Sequence, residues 1–309
     1  MIVHDGIQSL KGIKNAVVTI GTFDGVHLGH QEILRRIIEL AKINDGETAL
    51  VTFWPHPRFV LKPEDDSLKL LSTFEEKATI LESIGIDHLI KIKFTKEFSQ
   101  WSSDKFIREV IIGALHTQKL VIGYDHHFGR DREGSFENLK ANSAKYGFTV
   151  EEISRQDIDD VGISSTKIRN ALNEGAVEMA AEFLGRPYEI IGTVIPGDQI
   201  GRTLGFPTAN INTDASYKLI PADGTYAVKV KVGQQEFGAM MNIGMRPTVN
   251  GKEKRMEAHL FNFDKKIYDE KVTVHFIKKL RDEQKFESKE ALIQQLAKDK
   301  ELAIKILND

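Results

Sequence analysis

The sequence predicts an α/β unit with a Rossmann-like, doubly wound and mostly parallel sheet, followed by a small all-β barrel. In the first half, short apolar β-branched runs alternate with segments of helical periodicity, a pattern typical of parallel sheets with helices on both faces. From Tyr188 onward, strand-like runs follow one another without helices between them. The chain has 309 residues, of which 41% are apolar, enough for two hydrophobic cores.

The composition limits the classes of partner. A net charge of -3 gives no overall basic field, so we expect no nucleic-acid partner. The absence of cysteine excludes disulfides and zinc-thiolate sites. No apolar run approaches the roughly 18 residues that span a membrane, and the N-terminus has no leader-like segment. We therefore expect a cytoplasmic protein without membrane contact, a monomer or a weak homo-oligomer, that binds small molecules.

The first predicted strand and helix enclose a glycine-rich turn. The run 16–20 is typical of a buried strand, and 31–43 has the apolar spacing of a helix. A turn that leads into a helix N-terminus directs backbone N–H groups and the positive end of the helix dipole at one point, which suits a phosphate. Two histidines three positions apart can face the same anion. The residues of this opening turn that we select are Gly21, Phe23, Asp24, Gly25, His27, Gly29 and His30. A purely structural turn is the alternative.

The next strand, 48–53, runs into a proline-bracketed loop that contains Pro55, His56 and Pro57. Loops at the carboxyl ends of parallel strands are where ligands bind in such sheets, although a rigid surface turn is the alternative. A capping box predicts a helix from Thr73 to Ile84. Further predicted elements are the strands 89–94, 119–123 and 148–153 and a helix at 103–112.

Two further polar segments follow strands of the first half. The strand 119–123 ends in a glycine-rich and charged stretch that includes Asp125. After the strand 148–153, Ser164 or Ser165 is expected to cap a helix whose first turn also carries Thr166 and Arg169. Hydroxyls, backbone N–H groups and a cation at a helix start make a second anion site, with ordinary capping as the alternative.

The change of pattern near residue 186 divides the chain into residues 1–185 and 186–309. We expect the second part to form a closed barrel of six antiparallel strands, followed by an amphipathic helix from Ser288. Leu292, Leu296 and Ala297 are expected to face the core. The five strands that the pattern marks are 188–195, 225–232, 236–243, 256–263 and 271–280.

One loop of the predicted barrel is rich in glycine. Its Gly197, Gly201 and Gly205, together with Arg202, would let the backbone approach a polyphosphate, while Thr208 and Asn210 offer oxygen ligands for a hard cation. The loop lacks the lysine of a Walker P-loop, and a plain turn is the alternative.

A carboxylate stands among apolar residues in one barrel strand. Glu257 at such a position is either paired structurally or poised as a general base.

These motifs resemble two sets of family signatures. The strings Gly-x-Phe-Asp-Gly-x-His-x-Gly-His at 21–30 and Ile-Ser-Ser-Thr-x-Ile-Arg at 163–169 are similar to those of the nucleotidyltransferase superfamily. With Phe-x-Pro-His-Pro at 53–57 and Gly-Arg-x-Leu-Gly-Phe-Pro-Thr-Ala-Asn at 201–210, the chain resembles the bacterial family of bifunctional riboflavin kinases and FAD synthetases. The resemblance covers essentially the whole chain.

The resemblance implies roles for the motifs of the first part. His27 and His30 would stabilise the nucleotide phosphates during attack on the α-phosphate. Four residues of the second motif would hold the leaving pyrophosphate, namely Ser164, Ser165, Thr166 and Arg169. The 55–57 loop and Asp125 would face the flavin, and Asp24 or Asp125 would hold a metal or a ligand hydroxyl.

In the second part, the resemblance implies that Thr208 and Asn210 bind Mg-ATP and that Glu257 is the catalytic base. Arg281 would contact the flavin. The expected reactions are phosphorylation of riboflavin by ATP to FMN at the barrel, and adenylyl transfer from ATP to FMN at the α/β unit, giving FAD and pyrophosphate with Mg²⁺ as cofactor. The alternatives are a chain with one active module and a flavin-binding regulator without turnover.

Overall fold

The computed structural model describes residues 1–10, 12–123, 136–153, 162–198, 200–248 and 251–308. It divides into two compact units, Met1–Ser165 and Thr166–Asp309. The predicted site residue Asp125, together with most of the polar stretch around it, lies outside the described residues.

The first unit contains one parallel sheet of six strands in the order β1-β4-β3-β2-β5-β6. This confirms the predicted Rossmann-like architecture. The pattern did not mark β1, a short edge strand with three of its four residues exposed. The strands are β1 (Ile2–Asp5), β2 (Val17–Ile20), β3 (Thr48–Trp54), β4 (His88–Lys93), β5 (Lys119–Gly123) and β6 (Thr149–Ile153).

Helices cover both faces of this sheet. Val17 and Leu50 belong to one apolar cluster, whereas Val18 and Val51 belong to another, so alternate residues of each strand are buried on opposite faces. Burial on both faces explains why the strands are continuous apolar runs. The helices are α1 (Leu28–Ile43), α2 (Pro57–Leu61), α3 (Phe74–Ile84), α4 (Lys96–Ser99), α5 (Ser103–Phe106) with a π-helical continuation (Ile107–Ala114), and α6 (Phe136–Tyr146).

The strand order changes direction between β2 and β5. After β2 the chain builds β3 and β4 on one side, and then returns to place β5 and β6 on the other. In open α/β sheets, ligands bind at the carboxyl ends of the strands where the order reverses. The residue that follows β2 is Gly21, the start of the opening turn, so the topology places the predicted phosphate site at this switch point.

The second unit is a closed antiparallel barrel in the order β10-β11-β8-β7-β12-β9, which confirms the predicted six-stranded barrel. Two helices, α7 (Ser165–Asn173) and α8 (Val177–Leu184), precede it. Its other elements are β7 (Tyr188–Ile195), α9 (Ile200–Thr203), β8 (Ala209–Asn212), β9 (Gly224–Val232), β10 (Gln235–Thr248), β11 (Gly251–Leu260), β12 (Lys271–Arg281) and α10 (Lys289–Asn308).

The terminal helix α10 packs against the outside of the barrel. Ala303 lies in a cluster with Ala227 and Met240 of the barrel, and Leu296 packs against it as predicted. The prediction for Ala297 is wrong, because this residue is exposed. The buried residues of the helix instead include Asp299, which a search for hydrophobic residues does not find because its side chain is charged.

Candidate functional sites

The opening turn has an unusual backbone. Phe23, Gly25 and Val26 have φ values of 46°, 80° and 42°, respectively. A positive φ is a strained conformation for a β-branched residue such as Val26, and strain of this kind concentrates at functional sites. A side chain at Gly21 would meet the Phe23 ring, which explains glycine at the first position of the turn.

The two histidines of the opening turn lie against each other. His27 caps helix α1, and its Nδ1 accepts a hydrogen bond of 3.4 Å from the backbone N–H of His30. This bond assigns the proton of a neutral His27 to Nε2. The two rings stack with centroids 3.7 Å apart, and Phe23 packs on His30 at 4.9 Å. The turn thus presents two imidazoles beside the N–H groups of a helix start.

His30 is held in its neutral form. Burial is the largest cause that lowers its pKa well below the ordinary value, followed by the charges of His27 and Lys77. Its Nδ1 is buried, and the described residues provide no hydrogen-bond partner for it. A buried polar atom without a partner, next to a helix N-terminus, is suited to a bound ligand. His30 can therefore donate or accept a hydrogen bond there, without a full positive charge.

Asp24 joins the opening turn to the segment before α3. Its buried carboxylate accepts hydrogen bonds from the backbone N–H groups of Leu71 at 3.0 Å and Ser72 at 3.2 Å. The Ser72 hydroxyl in turn accepts from the N–H of Gly25 at 3.2 Å. These contacts give Asp24 a structural task, while its contact with a metal or ligand hydroxyl stays a prediction.

The second anion motif begins beside the opening turn. The Ser165 hydroxyl donates to the carbonyl oxygen of Asp24 at 3.1 Å, within the first unit. Thr166 and Arg169 continue helix α7 in the second unit, where Ile168 is fully buried and anchors that helix. The grip of this motif on a leaving group stays a prediction.

The proline-bracketed loop follows β3. His56 caps the short helix α2, and its Nδ1 accepts from the N–H of Arg58 at 3.2 Å. Pro57 occupies the first helical position, where its missing N–H costs nothing. Pro55 is exposed, and the His56 and Phe59 rings lie 5.8 Å apart. The loop lies at the carboxyl end of β3, the neighbour of β2, and its contact with a flavin stays a prediction.

Sequence reasoning missed Lys77. This lysine of α3 is 3% exposed, and its ammonium donates to the carbonyl of Thr22 at 2.8 Å and to the hydroxyl of Thr52 at 3.1 Å. A signal was present, because the helical spacing of Phe74, Lys77 and Leu81 places this charge on the apolar face of the helix.

In the second unit, polar residues form one row across four neighbouring strands. Asn210 pairs with Glu257, Glu257 with Asn242, and Asn242 with Thr225. Directly opposed residues of antiparallel strands project to the same face. The Thr208 hydroxyl donates to Glu257 Oε2 at 3.4 Å, which adds a fifth member next to the row. No sequence motif assigns a role to Asn242 or Thr225.

The glycine-rich loop packs closely on this row. A Cβ at Gly197 would collide with the Asn210 amide, and one at Gly201 would collide with the Phe206 carbonyl. Gly205 has a φ of 83°, which few other residues adopt. The glycines therefore let the loop approach Asn210 and turn back on itself.

A cavity of about 190 Å³ lies beside the glycine-rich loop, and of the polar residues in and next to the row only Thr208 lines it. Its lining includes Arg202, Thr208 and the segment 263–268, which carries Asp264, Lys265 and Lys266. Three cations outnumber the one carboxylate, which suits an anionic ligand. The segment 263–268 has the composition of an ordinary turn, so its sequence does not mark it as part of a site.

Arg281 is bound to the terminal helix. Its Nε and Nη2 donate to Asp299 at 3.0 and 2.8 Å, and Asp299 is 3% exposed. Gln295 donates to the same carboxylate at 2.8 Å. Arg281 pairs in register with Thr225, so it lies level with the polar row. Its contact with a flavin stays a prediction.

Comparisons with known proteins match both units. A family model described as FAD synthetase matches residues 10–167, and one described as riboflavin kinase matches residues 184–307. A bifunctional riboflavin kinase/FMN adenylyltransferase of Buchnera aphidicola subsp. Schizaphis graminum (strain Sg) is 41% identical over 98% of each chain. The protein of the same name from Bacillus subtilis (strain 168) is 37% identical over 95% of this chain and 93% of its own.

One solved structure is similar over the whole length. A crystal structure described as a macrolide-efflux protein from Streptococcus pneumoniae superposes with a TM-score of 0.89 at 32% identity, covering 98% of this chain and 99% of that one. Its description differs from the names of the sequence relatives. In the part of the chain that the structure describes, no helix combines the length and apolar character needed to cross a membrane.

Proposed function

The chain belongs to the family of bifunctional riboflavin kinases and FMN adenylyltransferases, and we propose that its two reactions take place at separate sites, one in each half. It phosphorylates riboflavin to FMN and converts FMN to FAD. We assign adenylyl transfer to residues 1–185 and the kinase reaction to residues 186–309. One observation supports separate sites above all: the stacked pair His27 and His30 belongs to the unit Met1–Ser165, whereas the row around Glu257 belongs to the unit Thr166–Asp309.

For adenylyl transfer, the opening turn would bind the nucleotide phosphates. The helix N-terminus and the imidazoles supply donors to the α-phosphate as its charge develops during attack by the FMN phosphate. His30, kept neutral by burial, contributes a hydrogen bond to that charge. Ser164, Ser165, Thr166 and Arg169 would stabilise the departing pyrophosphate. The 55–57 loop would face the flavin.

For the kinase reaction, Glu257 would accept the proton of the riboflavin hydroxyl as its oxygen attacks the γ-phosphate. Thr208 donates to Glu257 and fixes the orientation of the carboxylate. Gly197, Gly201, Arg202 and Gly205 would bind the ATP phosphates over the cavity that Arg202 lines.

The polar row also suits a divalent metal. Thr208 and Asn210 place a hydroxyl and an amide oxygen beside Glu257, and such hard oxygens are the donors that Mg²⁺ prefers. Bound there with ATP, Mg²⁺ would neutralise phosphate charge. No cluster of three His, Cys, Asp or Glu able to hold a metal occurs among the described residues.

We further propose a cytoplasmic, monomeric or weakly associating enzyme, because its substrates ATP and FMN are charged molecules that bilayers retain. Incubation with riboflavin, ATP and Mg²⁺, followed by chromatography, tests the function. We expect FMN to appear first and FAD afterwards. Absence of both products would refute the assignment, and FMN without FAD would show that one module is inactive.

A further inference from the structure

Lys77 is a buried cation that neither proposed reaction uses. Its side chain lies in α3 with 3% exposure, and no carboxylate of the described residues forms an ion pair with it. Burying an ammonium whose two hydrogen-bond acceptors are uncharged destabilises a fold, and the charge of Asp24 offsets this cost only in part. The presence of this charge beside the opening turn therefore calls for a task other than stability.

The contacts of Lys77 join two elements of the adenylyl site. Its ammonium donates to the Thr22 carbonyl at 2.8 Å and to the Thr52 hydroxyl at 3.1 Å, and Thr52 itself lies 3.4 Å from the same carbonyl. Thr22 directly precedes Phe23, the first residue of the turn with a positive φ. A strained turn persists only where its surroundings fix it, and Lys77 is one such support.

The charge of Lys77 also acts on His30. It is one of the causes that lower the pKa of His30, and burial, opposed by Asp24, lowers the pKa of Lys77 itself to about 8. The ammonium lies 5.6 Å from the Trp54 ring centroid. From β4, Lys91 lies over the Phe74 ring that Lys77 also approaches, and Asp5 pairs with Lys91 at 3.1 Å.

We propose that Lys77 is a positioning residue for adenylyl transfer, whose buried ammonium fixes the opening turn through the Thr22 carbonyl. The proposal rests on the placement of that reaction at the opening turn. Lys77 acts through the turn, since two of its N–H donors are used within the protein.

The first test compares Lys77→Met and Lys77→Arg with the exposed control Lys42→Met. In Lys77→Met we expect kcat for FMN-to-FAD conversion to fall about 100-fold, because small misplacements of reacting groups have effects of that size. The KM for ATP and the riboflavin-to-FMN rate should stay near their original values. Lys77→Arg keeps the charge and should recover part of the loss, and Lys42→Met should change neither rate.

The second test is the pH profile, which separates positioning from stability. Above pH 8 the folded chain releases the Lys77 proton, whereas an ordinary lysine with a pKa of 10.5 retains it. The unfolded state therefore binds more protons between these values, and the contribution of Lys77 to stability rises with pH. In the original chain, we expect the rate of FAD formation to fall as the pH rises, with a midpoint near pH 8. In Lys77→Arg this fall should be absent, because the arginine keeps its charge.

An original rate and pH profile in Lys77→Met would overturn the proposal. Lys77→Met could lose the thermal unfolding transition of the first unit. In that case the pH profiles of FAD formation in the original chain and in Lys77→Arg are compared, and the same midpoint near pH 8 in both would overturn the proposal. If His30→Asn leaves FAD formation unchanged, the placement of the reaction at the turn fails, and the proposal fails with it.

Discussion

At the scale of single residues, both sites depend on polar groups in buried or half-buried positions. The stacked imidazoles of His27 and His30 lie at a helix start, and Glu257 lies in a row of oxygen-bearing side chains on the barrel. Each group would stabilise charge or move a proton in one reaction only. Substitutions that preserve shape should therefore separate the two reactions.

We expect Glu257→Gln to reduce FMN formation from riboflavin by about 100-fold or more, because the amide cannot accept the hydroxyl proton. Conversion of supplied FMN to FAD should be unaffected. Chromatography of both reactions measures the effect, with the exposed Glu270→Gln as the matched control. Equal loss of both reactions would contradict the assignment of Glu257 to the kinase site.

His30→Asn should show the opposite selectivity. Loss of one donor to a developing oxyanion costs about 100-fold or more in rate, so FAD formation should fall by this amount while FMN formation continues. The exposed His116→Asn is the control. A variant that still makes FAD at the original rate would exclude His30 from the reaction.

Sequence reasoning found the residues that belong to motifs and missed those without a motif. The spacing of His27 and His30 and the glycines around them predict an anion site at the opening turn. Thr225 and Asn242 belong to the polar row because of the register in which β9 and β10 pair, and a single sequence does not show that register. Lys77 was detectable as a charge on an apolar helix face, but its contact with Thr22 depends on how α3 packs.

At the scale of secondary structure, the periodicity of the sequence predicted whether a segment is a helix or a strand. It did not predict how these elements pack against one another. The capping box of Thr73 and Glu76 and the left-handed Gly85 fixed both ends of α3 as predicted. The elements that the pattern missed include β1, which is too short and exposed, β8, a four-residue strand within a motif loop, and the mostly polar helix α6. For α10 the hydrophobic pattern missed Asp299, because a buried charge becomes acceptable only through its partner Arg281.

The pairing of α10 with β12 can be tested through Asp299→Ala. This change leaves Arg281 largely buried without its carboxylate, so the free energy of unfolding of the second unit should fall by about 3 kcal/mol. Thermal or urea unfolding measures it, and the exposed Glu301→Ala on the same helix is the control. Equal stability of the two variants would show that the pair does not hold the helix.

At the scale of the whole molecule, two unrelated folds occur in one chain, and each has its own glycine-rich loop that we propose binds phosphate. The parallel sheet places the opening turn at its switch point, and the barrel places Glu257 in the row near its glycine-rich loop. The comparisons match one family model to each fold. The sequence predicted this division because alternation of strands and helices stops where the barrel begins.

The central claim of two separate sites is tested most directly by mixing two singly impaired chains. We expect Glu257→Gln to make FMN slowly and His30→Asn to convert FMN to FAD slowly, so each variant alone should produce little FAD from riboflavin, ATP and Mg²⁺. In an equimolar mixture, FMN released by the His30 variant can reach the intact adenylyl site of the Glu257 variant. We predict that the mixture restores FAD formation. A mixture that makes no FAD, although His30→Asn alone releases FMN and Glu257→Gln alone converts supplied FMN, would contradict the account.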